Sequence, residues 1–285
     1  MLFDVVRLSI DRYRATPVIV IPPMVAMVFE LAIPVLTGIH GANFSELRPG
    51  SYALVGLGLM GLSLSVSFLT LVGKASMASQ VVLGGRASLR DWVEGIASYS
   101  RRALGVYAVY LVLIILSFIP LIIVFWYAML PQVMYQMWTS QPEVPPSILL
   151  APTPTIIAIS WAAMALVSLV EAALYMWLAS LIFEGTDVLP SISAGNQAAK
   201  ANGMTFLGFV VLFIVVSGIA NLFENIPLYL GTYMPQAQGG LPTVTHLTSK
   251  LINTIFSPLW VLIALTLFLE CRREQVQDIS SQRVN

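Results

Sequence analysis

Six long apolar stretches, separated by polar gaps, divide this 285-residue chain. Each stretch has about the ~20 residues that a helix needs to cross ~30 Å of hydrocarbon. The apolar runs are continuous, whereas the strands of a membrane β-barrel would alternate in short segments. The pattern therefore predicts six transmembrane helices, at about 17–39, 51–75, 103–128, 155–183, 205–230 and 249–270.

Three of the polar gaps have the period of an amphipathic helix. In one gap Trp92, Val93 and Ile96 recur at helical spacing, and Arg90 and Glu94 mostly occupy the other side. The N-terminal segment has a similar apolar stripe, formed by Phe3, Val6, Ile10 and Tyr13. Such helices lie in the headgroup layer of a membrane. We therefore predict three interfacial elbow helices, at about 2–15, 88–102 and 188–203.

Basic residues concentrate in alternate gaps. Twelve of the 14 Lys and Arg residues lie before residue 17, within 74–102, at Lys200, or after residue 270. Short basic loops stay on the cytoplasmic side of a membrane. The fold class predicted is thus an all-α polytopic protein of the cell membrane, with both termini cytoplasmic and 271–285 as a short tail.

The elbows also carry cations that could meet anionic headgroups of the inner leaflet. A soluble or membrane-bound protein partner docking on the cytoplasmic face is the alternative. The candidate docking residues are Arg12, Arg14, Arg86, Arg90, Arg101 and Arg102.

Composition agrees with the membrane class. Charged residues make up 10% of the chain, against about 25% in soluble domains, and the mean hydropathy is +0.85. The net charge is zero, so the composition gives no evidence for a nucleic-acid partner. Cys271 is the only cysteine, which excludes an internal disulfide and favours a reduced structural thiol. Because no gap has room for an external domain, we expect one membrane domain over 1–285.

Small residues and repeated segments complete the pattern. Gly58, Gly61 and Ser65 share one face of the second span, which favours the close approach of another helix. The pairs Ser88-Leu89 and Ser191-Ile192 begin two of the elbows at matching positions. The chain thus reads as three units, each an elbow and a helical hairpin. Such repeats occur in transporters and also arise by duplication of a packing unit.

Two groups of segments carry a resemblance to a known family. The first is Gly-Gly-Arg-Ala-Ser-Leu at 84–89 with Ile-Pro-Leu at 119–121, and the second is Phe-Glu-Gly at 183–185 with Val-Leu-Pro-Ser-Ile at 188–192. Over roughly 80–270 the chain resembles an uncharacterised six-span family of bacterial and archaeal membrane proteins. It is similar as well to the membrane domain of some glycerophosphodiester phosphodiesterases. The resemblance implies an architecture and supplies no catalytic residue, because chemistry in the fused proteins belongs to a separate soluble domain.

Three carboxylates interrupt the predicted spans. Glu30 and Glu171 fall near mid-membrane, and Glu224 falls near the outer interface beside Asn221 and Asn225. An ionised carboxylate is costly there, and no Lys or Arg lies in a predicted span at comparable depth, so we expect protonated carboxyl groups. Two interpretations stay open: a polar path for a proton or cation, or neutral acids that hydrogen-bond neighbouring helices.

Motifs for chemistry are lacking in the sequence. His40 and His246, the only histidines, fall in predicted outer loops without metal-ligand spacing, and no phosphate loop or nucleophile elbow occurs. We therefore expect no metal, no cofactor and no catalytic residue. A non-enzymatic scaffold or accessory subunit of a membrane assembly is the first hypothesis. The alternatives are a channel or carrier that uses Glu30 and Glu171, and a membrane component of a DNA- or protein-translocation machine.

Overall fold

The structure, a computed structural model, describes residues 1–36, 49–139, 154–233 and 241–284. Within these ranges all regular elements are helical. The α-helices are α1 Leu2–Ala15, α2 Ile21–Leu36, α3 Pro49–Val82, α4 Leu89–Thr139, α5 Pro154–Glu184, α6 Val188–Ala201, α7 Gly203–Tyr233 and α8 Leu241–Val284. A short 3-10 turn, Pro17–Val20, joins α1 to α2.

Five of these helices contain a segment long and apolar enough to cross a membrane. The segments are Leu57–Val82, Leu89–Val124, Trp161–Glu184, Gly203–Ala220 and Val244–Arg273. A sixth span is added if the segments Leu2–Ala15 and Pro17–Ala32 are counted as one span with a bend of 94° between them. These lengths and compositions are those of a multi-pass helical membrane protein, as the apolar pattern predicts.

Two glycines end helices by adopting left-handed backbone angles. Gly84 has φ 89° after α3, and the bonds from Gly84 N to Val81 O and from Gly85 N to Gln80 O form a Schellman motif. Gly185 has φ 63° after α5, and its N–H donates to Leu181 O. Both positions belong to the segments that carry the family resemblance, so that pattern consists in part of helix stop signals.

The start of α4 is fixed by a reciprocal cap. Ser88 N donates to Asp91 Oδ2 at 2.6 Å, and Asp91 N donates to Ser88 Oγ at 3.4 Å. This arrangement satisfies two backbone donors that have no partner inside the helix. Ser191, predicted to occupy the equivalent position, is instead the fourth residue of α6, where its hydroxyl donates to Asp187 O. The residue match at the elbow starts therefore does not extend to the helix caps.

Two helix boundaries differ from the predicted ones. The segment 88–102 is not a separate helix, because α4 runs without interruption from Leu89 to Thr139. His246, predicted in an outer loop, lies in α8, which begins at Leu241. Pro242 is compatible with that start, since the first turn of a helix does not use the N–H that proline lacks.

The chain forms two compact units, each assembled from separate segments of the sequence. The first comprises Met1–Tyr107, Tyr175–Phe206 and Leu251–Asn285, and its core is centred on α8. All ten residues from Leu259 to Phe268 are buried, so this segment is enclosed by protein on every side. The second unit comprises Ala108–Leu174 and Leu207–Lys250.

Within the second unit, α5 and α7 approach closely near Gly218. A methyl group at Gly218 would lie 3.2 Å from the Trp161 ring and 3.4 Å from Met164 Cε. The α4 part of the same unit is different, because its apolar side chains stay largely exposed.

In the first unit, glycines bring the predicted elbow segments close to the longer helices. Trp92 packs so near Gly73 that a methyl group there would overlap its ring, at 1.7 Å from Cδ1. At Gly195 in α6 a methyl group would lie 2.8 Å from Trp177 Cδ1 and 2.9 Å from the Met176 carbonyl carbon and oxygen. Direct backbone contact therefore fixes α6 against α5.

Replacing Gly195 with alanine should destabilise the protein, because the clash with the Met176 backbone cannot be relieved by a rotamer change. We expect a cost of about 1–3 kcal/mol, measured as earlier thermal exposure of the buried Cys271 thiol in detergent. Gly203→Ala is the matched control, since no atom of the described part of the chain lies within 4 Å of its Cβ position. Equal melting temperatures for the two variants would contradict the close approach.

Candidate functional site

Lys74 is a buried cation that the sequence pattern assigned to a cytoplasmic gap. Helix α3 continues to Val82, past the predicted span end at 75, and the Lys74 side chain is within it. The residue is only 5% exposed. Its Nζ donates to Ser257 Oγ of α8 and lies 6.0 Å from the centroid of the Tyr175 ring of α5. The charge pattern counted this lysine among the residues of a gap, whereas the structure places it within α3.

Glu30 lies on α2 next to the same helix. It is half-buried, and Ser67 Oγ donates to its Oε1 at 3.5 Å. Ser67 precedes Lys74 by seven residues, so the two share a face of α3 and are about 10 Å apart along its axis. Thr70, which is buried, falls between them on that face. We call Ser67, Thr70 and Lys74, with Glu30 and Ser257, the polar stripe.

The polar stripe can serve two chemical purposes. Hydroxyl groups beside a carboxylate and an ammonium group supply donors and acceptors for a proton or small ion. The same groups also join α2, α3 and α8 by interhelical hydrogen bonds, which are the usual role of polar side chains between membrane helices. Charged groups in apolar surroundings are stable only with partners of this kind.

The other predicted acids are Glu171 and Glu224. Glu171 is half-buried on α5 in the second unit, whereas Glu30 belongs to the first. Their common path therefore stays a prediction. Asn221, Glu224 and Asn225 belong to α7, and their side chains lie outside the described part of the structure.

The six candidate docking arginines divide into two groups. Arg14, Arg86, Arg90 and Arg101 are exposed, and Arg90 pairs with Glu94 at 2.6 Å. Arg12 and Arg102 instead face the protein, where Arg102 Nη1 donates to Gly185 O at the end of α5. Surface docking is thus open to the first group, and the second group stabilises helix contacts.

An ion pair lies next to the Gly185 turn. Arg272 of α8 pairs with Glu184, whose Oε2 also accepts a 2.8 Å hydrogen bond from Ser180. The Arg272 guanidinium lies 5.6 Å from the centroid of the Phe268 ring. Nearby, Asn202 Nδ2 donates to the sulfur of Cys271 at 3.3 Å. Cys271 is a buried free thiol, as expected.

Helix α1 docks on α8 through polar contacts. Arg12 Nη1 donates to Thr266 Oγ1 at 3.2 Å, and Tyr13 Oη donates to Ile255 O at 2.8 Å. Burial raises the pKa of Tyr13, so its hydroxyl keeps the donated proton at neutral pH. Burial lowers the pKa of Arg12, and the positive charge of Arg273 lowers it further. The negative charge of Glu270 acts in the opposite direction.

The face that α1 buries differs from its predicted apolar stripe. Val5 and Ser9 are its buried residues, whereas Phe3 is 87% exposed. The burial of polar Ser9 is tolerated because its hydroxyl donates a hydrogen bond to Thr266 Oγ1 at 3.5 Å. Phe3, Val6 and Ile10 of the apolar stripe thus lie outside the buried face, whereas Tyr13 contacts α8.

Sequence reasoning missed Lys74 and the contact between Trp177 and Asn196. Trp177 Nε1 donates to Asn196 Oδ1 at 2.8 Å and joins α5 to α6. The segment from Lys74 to Val82 has no further charged residue, which was a usable signal that the helix continues past the lysine. Nothing in the local sequence pairs Trp177 with Asn196, because that contact depends on how the helices meet. Among the described residues, no group of three His, Cys, Asp or Glu could hold a metal.

A double-mutant cycle can measure the contact between Lys74 and Ser257. We expect Lys74→Met and Ser257→Ala to show a coupling of about 1–2 kcal/mol in thermal or denaturant unfolding, as for a hydrogen bond to a charged group. Ser65→Ala is the control partner, because its exposed hydroxyl donates to Gly61 O of its own helix. Coupling of Lys74 to Ser65 as large as to Ser257 would refute a direct contact.

Comparison with known proteins identifies no relative of the chain. No protein-family model matches it, and neither a curated protein nor a solved structure matches it significantly. The resemblance of the 80–270 pattern to a six-span family thus stays a prediction from the sequence. Function has to be argued from the helices and their contacts.

Proposed function

We propose that the chain is a non-enzymatic scaffold or accessory subunit of an assembly in the cell membrane. It crosses the bilayer six times, both termini are cytoplasmic, and the amphipathic segments lie at the inner surface. A machine that moves DNA or protein is one assembly of this kind, in which a partner supplies the energy. The lipid bilayer and a second protein are the partners of this proposal.

The exposure of α4 carries the proposal. In the most apolar 18 residues of its membrane segment, only 6% of the residues are buried. Ile115 and Ile119 are 63% and 47% exposed, and Leu113, Phe118 and Val124 are exposed on other sides of the same helix. A helix that is apolar all round belongs inside a protein or a membrane. A span with so little contact in its own chain is available to another subunit.

The open surface of α3 adds support. Among the residues that the structure describes, none lies within 4 Å of the Cβ positions of Gly58 and Gly61, and Leu57 and Met60 beside them are exposed. Glycines weaken a helix unless close contact uses the space that they leave. In membranes, small residues of this kind are typical of helix–helix interfaces. Both α3 and α4 thus present surface that the chain itself leaves open.

Recovery of the full chain from native membranes tests the scaffold proposal. The tagged protein should copurify with a second subunit in fixed stoichiometry. Replacing Ile115 and Ile119 with tryptophan should reduce the recovered subunit about tenfold, because the added bulk prevents close packing, while the amount of chain in the membrane stays constant. Ile115→Leu is the matched control and should retain the complex.

The scaffold proposal would be contradicted if the chain were recovered without a second subunit in the wild type and in both variants. Alkaline extraction separates this outcome from a failure of membrane insertion, since an inserted chain stays with the lipid.

A carrier function is the second candidate, favoured by the polar stripe. Glu30 and Lys74 lie near one face of α3, with hydroxyl groups between them. Ionisable groups in membrane segments mark proton and ion pathways in many transporters. In this case Glu30 would exchange a proton or cation, with Glu171 as a further acid of the path.

Proton flux into proteoliposomes tests the carrier candidate. With a potassium gradient and valinomycin, wild-type protein should acidify the lumen, whereas Glu30→Gln and Glu171→Gln should reduce the flux at least tenfold. Glu94→Gln, at an exposed carboxylate, should leave it unchanged. Wild-type flux no greater than that of protein-free liposomes would eliminate proton transport, while the scaffold proposal would stand.

A further inference from the structure

A proline interrupts the central helix of the first unit. Pro258 lies inside α8 and is buried. Because proline has no N–H, the carbonyl of Thr254 loses its helical donor, and the ring disfavours regular geometry in the preceding turn. In membrane helices such positions are stabilised by groups from neighbouring helices.

Two other helices donate hydrogen bonds to residues between Thr254 and Pro258 in this part of α8. Tyr13 of α1 donates to the carbonyl oxygen of Ile255, in the turn that precedes the proline. Lys74 of α3 donates to the hydroxyl of Ser257, the adjacent residue. Helix α1 therefore contacts α8 within the turn that precedes Pro258.

Helix α1 has three distinct faces. One face, with Val5, Ser9 and Arg12, packs on protein. The second carries the apolar stripe, with Phe3 strongly exposed and Val6 and Ile10 half-exposed. The third face is charged: the exposed arginines Arg7 and Arg14 lie beside Phe3 at one edge of the stripe, and Asp4 and Asp11 lie further round the helix.

The orientation of α1 indicates what covers its apolar stripe. It bends by 94° from the Pro17–Ala32 segment. If that segment crosses the bilayer, α1 lies along the membrane surface, where an amphipathic helix inserts its apolar side and places cations among headgroups. The pairing of Asp4 with the Met1 ammonium group at 3.0 Å offsets one of the two acids, which leaves Arg7 and Arg14 against Asp11.

We propose that the stripe Phe3, Val6 and Ile10 of α1 docks on a surface of anionic phospholipid through Arg7 and Arg14, and that this docking stabilises α8 at Pro258 through Tyr13. The proposal rests on the membrane placement given above and is independent of the scaffold role. Lipid composition would then control the order of the helix at the centre of the first unit.

Hydrogen exchange of the full chain in nanodiscs tests the proposal. Discs of phosphatidylcholine alone are compared with discs that contain phosphatidylglycerol. Anionic lipid should slow exchange in α1 and in 254–260 at least threefold, and high salt should remove the difference. Arg7→Gln with Arg14→Gln should abolish the lipid effect in both segments. Lys200→Gln, at an exposed cation of α6, is the control and should retain it.

Tyr13→Phe separates docking from coupling. This variant should keep the lipid effect in α1 and lose it in 254–260. If Tyr13→Phe kept the lipid effect in both segments, the coupling would be overturned. Equal exchange of wild-type α1 in both kinds of disc would overturn the docking. Protection of α1 in native membranes but not in anionic discs would assign the stripe to a protein partner and also refute the lipid proposal. Unstable insertion, detected by alkaline extraction, would instead refute the membrane placement.

Discussion

The enclosure of α8 is the constraint on which the described first unit depends. The ten residues Leu259–Phe268 are all buried, so every side of the helix must meet another element. Where lipid is the alternative surrounding, burial of apolar area favours helix contact only weakly, because lipid tails are equally apolar. Close packing and polar contacts must then decide which helix lies where. Arg12 with Thr266, Lys74 with Ser257 and Glu184 with Arg272 are contacts of this kind.

Small residues let other helices of the first unit pack closely against one another. A helix can approach α5 or α3 closely only where a side chain is missing, and Gly195 and Gly73 provide these places. Trp92 fills the space beside Gly73, and the backbone of Met176 fills the space beside Gly195. The predicted elbow segments therefore take part in the packing of the first unit. They complete the packing of the longer helices in the first unit.

Hydropathy and helix stop signals could be read from the sequence because they are local. Continuous apolar runs predicted helices of membrane length, and the glycine-rich segment at 84–89 includes the cap at Gly84. Which face of a helix is buried could not be read in the same way. Ser9 is buried and Phe3 is exposed, opposite to a rule that buries apolar residues in protein, because a membrane offers apolar side chains a second favourable surrounding.

Lys74 shows why the polar stripe was only partly predictable. Charge counting assigned this lysine to a gap, since a cation usually marks the end of an apolar segment. The helix instead continues, and contacts from two other helices accommodate the ammonium group near a hydroxyl and an aromatic ring. Those partners are 101 residues away at Tyr175 and 183 residues away at Ser257 in the sequence. Local pattern cannot report such a pairing, whereas the tertiary fold makes the buried cation stable and, through Ser257, connects it to the proline position of α8.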